Sequence, residues 1–289
     1  DFLSPLSNTD LIVSLGLILF FVFIVRFLAI LLSNYIVYKF STDQMVRVQE
    51  RMMGIYLGQG YESFIQRHSS EYLATVVGYV RGFKDVIASM LRIFSDSLVC
   101  IAVVSALAIV SLETLGILML LFLTMSILFN KYLFSKVQRY GEEFNRGNEL
   151  MIKGISEGVS GMKEIRILGK EDFFKKSFSR GVRIMADMEI KQSIIQITPK
   201  SLLELLMVTF VVIIVLLNIY NQNNLDTVFT VLGVFAVGAV RLVPIITQLL
   251  SSVNIIRFRR NSVSNLYRDI QSFEAAGGKT TEKKSPTLP

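Results

Sequence analysis

Apolar residues fall in five runs, at about 11–32, 93–112, 115–134, 202–220 and 227–250. Each approaches the roughly 20 residues a helix needs to cross a bilayer. Between runs the apolar residues continue at helical spacing instead of stopping. Leu73, Val76, Val77, Val80, Phe83, Val86 and Ile87 lead into the second run without a proline. Residues 115–160 pass likewise from a run into Val137, Tyr140, Phe144, Leu150 and Ile155. Read as one helix, 72–112 is on the order of 60 Å long, about twice the hydrocarbon thickness. The pattern predicts an all-α membrane protein whose spans extend far out of the bilayer. A soluble domain inserted between spans would need its own globular pattern or a Gly/Pro boundary, and neither insertion has one.

The organisation repeats. Span, extension, interruption, extension, span describes both 11–112 and 115–220. The interruptions fall at 58–71 (GQGYESFIQRHSSE) and 167–179 (ILGKEDFFKKSFS). Ser69 or Ser70 is suited to cap the following helix, with Glu71 in its positive first turn. Pro199 marks where the next span begins or kinks. Gly154, Gly158 and Gly161 fit either close packing or flexibility near the loop.

Charge gives the orientation. Of 30 Lys and Arg residues, 28 lie in three blocks, 39–92, 131–200 and 257–284. The connectors at the opposite ends of the runs carry none. Short cytoplasmic flanks accumulate Lys and Arg, so the basic blocks and C-terminus are expected inside and Asp1 outside. An outside start predicts a further span missing ahead of Asp1. The net charge of +7 follows from this topology, and no nucleic-acid motif accompanies it, so no nucleic-acid partner is expected. Cys100 and His68 are single in the chain, which excludes a CxxC metal site and the common Ser/His/Asp and zinc constellations.

Three stretches carry a family resemblance. Gly161-Met-Lys-Glu-Ile-Arg-Ile-Leu-Gly-Lys-Glu171, followed by Phe173, Phe174 and Phe178, resembles the second intracellular loop of exporter-type ABC transporters. Tyr61-Glu-Ser-Phe64, leading to Ser70-Glu71, resembles the first. Arg241-Leu-Val-Pro244, followed by Leu249, Ser251, Ser252, Asn254 and Ile255, is similar to the last span of lipid-linked oligosaccharide flippases and polysaccharide exporters. The resemblance implies an ABC exporter transmembrane helix bundle over 1–273, lacking its first span. It implies two short coupling helices, with 274–289 as a linker toward a nucleotide-binding domain. Partners would be a second copy or homologous half and that ATPase domain, which would hold ATP and Mg; this chain would hold no cofactor. Tyr61, Phe64, Lys170, Glu171, Phe173 and Phe174 would meet the ATPase, the aromatics as anchors, with Lys170, Lys175 and Lys176 as charged rim.

Arg26 and Arg241 are the cations inside runs. A cation there costs roughly 2.5–3.5 kcal/mol on insertion scales and tends to face a bundle interior or wet cavity. Lys200, after Pro199, enters its span from the same side. Together Arg26, Lys200 and Arg241 are the expected cavity residues for a diphosphate headgroup. Snorkelling to the interface is the plainer alternative. Asp96 and Glu204 read as salt-bridge partners or interfacial residues in preference to a proton relay, and Glu142-Glu143 as a solvated face. The Gly278-Lys279-Thr280 match to a P-loop fails, because the position that needs glycine is Phe273. No ATP site or catalysis is expected in this chain.

The expected activity is ATP-driven export or flipping of a lipid-linked oligosaccharide or other amphipathic lipid across a bacterial inner membrane. Drug, peptide or phospholipid export is the runner-up. A secondary transporter would need inverted repeats and broken spans, and a membrane sensor or scaffold is the remaining class.

Overall fold

The computed structural model describes residues 8–60, 68–110, 112–220 and 225–277; at several positions of 113–135 and 214–241 only the backbone is described. Among the described residues the fold is built from five long helical paths and one short crossing helix. They are α1 (Asn8–Leu57), α2 (Ser69–Leu73) running through a π-helical segment (Ala74–Tyr79) into α3 (Val80–Val110), α4 (Leu112–Ser160), α5 (Met162–Leu168), α6 (Glu171–Tyr220) and α7 (Leu225–Gly277). No strand occurs among the described residues. Ile12–Leu57, Ser69–Ile109 and Glu171–Ile213 are long and apolar enough to cross a membrane. The expected spans 115–134 and 227–250 lie on α4 and α7. The protruding helices are therefore continuous with the spans.

α4 packs along α6 and α3 along α7, with α1 joined mainly to α3. Three apolar clusters hold this arrangement. Leu107, Leu115, Leu118, Phe210 and Leu242 form one at membrane level. Val137, Ile195 and Phe258 form a second below it. Met52, Tyr56, Tyr79, Val80 and Leu266 tie the foot of α1 to α3 and α7. Backbones approach closely where glycine removes the side chain. A Cβ on Gly181 would lie 2.6 Å from the Met151 amide nitrogen, and one on Gly141 would overlap the Phe258 carbonyl. Gly154 serves the same purpose against Phe178, whereas nothing crowds Gly158.

Two local expectations are corrected. The expected stripe slips at its start: Leu73 and Val77 are exposed, while Ala74, Thr75 and Tyr79 are buried. The cause is the π-helical segment, whose wider turn the 3.6-residue period does not anticipate. Gln49 donates to the Val76 carbonyl there at 3.0 Å. Neither serine caps α2: His68 holds the cap position without a side-chain bond. The Ser69 hydroxyl instead lies 3.2 Å from that of Ser156 on α4. Glu71 does occupy the first turn.

The second interruption is also tighter than 167–179. Only Gly169 and Lys170 separate α5 from α6. Gly169 has φ 60°, and its N–H donates to Arg166 at 3.3 Å while Lys170 donates to Ile165 at 3.0 Å. This is a Schellman end, which needs a left-handed residue and so favours glycine. Pro199 lies within α6 and Pro244 within α7, and both helices continue through them.

Candidate functional site

A cleft of about 880 Å³ opens between α1, α3 and α7 at membrane level. Arg26 of α1, Arg92 and Asp96 of α3, and Gln248 of α7 share its wall with Phe23, Ile30, Val99 and Ile245. Its lining is amphipathic: a few polar groups on an apolar surface, the composition of small-molecule sites. The Arg26 guanidinium carbon lies 5.8 Å from the Phe23 ring centroid. Arg92 donates to the Tyr38 hydroxyl and stacks 5.0 Å over that ring. The Arg92 Nε and Asp96 Oδ2 atoms are buried without hydrogen-bond partners among the described residues. Unpaired polar atoms at such a wall are ready to bond an occupant.

The expected cavity residues separate. Arg26 lines this cleft. Arg241 lies on α7 between two lining residues, Val240 and Pro244, with only its backbone described. Lys200 does not line it; that ammonium lies 4.0 Å from Glu204 on the exposed flank of α6. Glu204, for which the sequence named no counter-ion, pairs with this lysine. Arg92 was missed because it ends a basic block just ahead of a span, where a cation reads as an ordinary flank. The only signal was its spacing of four from Asp96 in a stretch, 86–110, that holds no other charge.

At the far end of the bundle, α5 lies across the tips of α4 and α6. Ile165 is buried beneath it, whereas Ile167, Leu168 and Phe173 are exposed. Phe173 and Phe174 meet edge to face, centroids 5.3 Å apart. With Ile165, Leu168 and Lys170 they line an apolar cup of about 440 Å³. Glu171 begins α6 beside it. Exposed apolar groups around a cup, rimmed by charge, are the makings of a protein contact. Tyr61 and Phe64 lie outside the described residues.

Between cleft and cup, polar groups lock the helices together. Asn145 donates to Asn261 at 2.9 Å and accepts from the Ser262 hydroxyl at 3.1 Å. Thr75 donates to Asp269 at 2.7 Å, and Tyr79 donates to Glu149. Burial, then the bond to Glu149, pushes the Tyr79 phenol well above its ordinary value.

A family profile, ABC transporter transmembrane region, matches residues 1–240. No curated protein matches the chain.

Proposed function

The chain belongs to the ABC transporter transmembrane region family, and from that premise we propose that it forms the lining of an exporter for an amphipathic, anionic lipid. Membership makes it an integral membrane part of an ABC transporter and implies pairing with an ATP-binding domain and another transmembrane half. It decides against the secondary-transporter and sensor readings.

The observation that carries the cargo reading is the membrane-level cleft, where Arg26 and Arg92 stand on an apolar wall. Guanidinium groups bind phosphate oxygens bidentately, while the apolar wall accepts a chain. A polyprenyl-diphosphate-linked oligosaccharide is the cargo this lining suits; a phospholipid is the runner-up. In this reading α5 and the Phe173/Phe174 cup dock on the ATPase domain, with Lys170 and Glu171 orienting the contact. Tyr61 and Phe64 take the same part in the first loop. Two copies pair in a bacterial inner membrane with the cup on the cytoplasmic side. ATP and Mg belong to the paired domain.

The test is made on the complete transporter in proteoliposomes. Arg26→Gln and Arg241→Gln are each expected to reduce flipping of a diphosphate-linked lipid at least tenfold, while basal ATPase activity persists. Unchanged flipping in both variants would return these cations to snorkelling.

A further inference from the structure

A second cleft, of about 330 Å³, lies on the cytoplasmic side of the first and is walled by the helical extensions. Arg92 lines both. Lys84, Arg92 and Arg259 line it together with Asp85 and Glu189, so three cations meet two carboxylates and the lining keeps one positive charge. Arg259 is fixed in place. Its Nε lies 3.1 Å from Asp85, and its guanidinium carbon sits 5.2 Å from the Phe144 ring and 5.3 Å from that of Phe258. These contacts leave its terminal nitrogens to an occupant.

Gln192 supplies the sharper clue. It is 6% exposed and lines this cleft. Neither its amide nitrogen nor its amide oxygen has a hydrogen-bond partner among the described residues. A buried polar group left unbonded loses its hydration with nothing in return. The amide therefore calls for an occupant that both accepts and donates.

The geometry points to a phosphate-monoester site. A monohydrogen phosphate accepts from the Gln192 amide N–H and the Arg259 guanidinium. Its remaining P–OH donates to the Gln192 oxygen. Doubly linked phosphates carry no such hydroxyl near neutrality, whereas monohydrogen phosphate and the singly ionised form of a monoester (second pKa about 6) do, so this site selects that protonated form and is distinct in chemistry from one for a diphosphate-linked cargo. The group can come from free phosphate or from a phosphatidic-acid headgroup at the inner leaflet. The two clefts share Arg92, but Gln192 and Arg259 line only this one and Arg26 only the other, so variants at those residues test the two sites separately.

The test titrates inorganic phosphate into the complete transporter, its nucleotide sites saturated with ADP, by calorimetry. A saturable site is expected, weakened about tenfold or more by Gln192→Leu and by Arg259→Gln, and untouched by Arg26→Gln. Should Arg259→Gln fail to fold, Gln192→Leu decides, because it removes an unbonded buried amide and should keep or raise Tm. Repeating the titration in phosphatidylcholine nanodiscs with and without phosphatidic acid separates the two sources. Competition by that lipid assigns the headgroup; no competition assigns soluble phosphate. No phosphate binding in either format, or binding indifferent to Gln192→Leu, would overturn the site. Equal competition by phosphatidylglycerol, which has no P–OH, would overturn the monoester selectivity.

Discussion

The outer length of α1 and the feet of the bundle are built on opposite terms. From Ile12 to Ile36 every large apolar residue of α1 is exposed. Farther down, the same helix buries Val37, Ser41, Met52 and Tyr56. The feet exclude water with glycine crossings and interhelical bonds such as Asn145–Asn261. The outer length has no comparable packing within this chain. In a bilayer that exposure carries no penalty, because lipid tails are as apolar as leucine. The feet stand in water and must satisfy themselves. The contrast teaches where rigidity resides: in the feet, where helices cross and bond to one another, and less along the apolar length of α1.

Three substitutions test that contrast, in descending size. Gly141→Leu drives a side chain into the backbone of α7 at Phe258 and should cost roughly 3 kcal/mol or more. It is read as loss of the monodisperse transporter and a collapsed Tm; a mild effect would mean the feet are not tightly packed. Tyr79→Phe should cost about 1 kcal/mol near neutrality and change the alkaline limb. The Tyr79 phenol is raised by burial and by Glu149, so the folded state holds its proton where the unfolded chain has lost it. That contribution is whole below the ordinary tyrosine pKa of about 10 and fades as pH rises above it. Tm measured from pH 8 to 11 should fall less steeply in the variant. Lys200→Ala, on the exposed flank of α6, should cost under about 1 kcal/mol, as surface ion pairs do, and leave transport within twofold. Transport lost in that variant would mean that Lys200 faces a cavity completed by a second copy.

Much of this was legible in the chain. Span and extension are announced by the length and spacing of apolar residues, and α4 shows the two merging over Leu112–Ser160. The tip of the second loop was legible from Gly169 and its aromatics, although the turn proved to be two residues. What stayed hidden depends on neighbours distant in sequence. Ser69 looked like a cap, but its hydroxyl reaches Ser156. Gln192 sits in a polar stretch, Lys191-Gln-Ser193, that reads as solvated surface. Only the crossing of five helices buries it. Arg92 had the right charge in a place where charge is ordinary.

The widened turn at Ala74–Tyr79 acts as a phase shifter in this framework. One extra residue in a turn rotates everything beyond it by about 100° about the helix axis. Thr75 and Tyr79 thereby bond to partners on two different helices, Asp269 and Glu149. If the segment relaxed to an ordinary α-turn, the α2 end would rotate against α4 and α7 while α3 stayed in register. A helix with such a joint can pass on a twist as well as a push, so movement at its α2 end need not arrive at the membrane as simple translation.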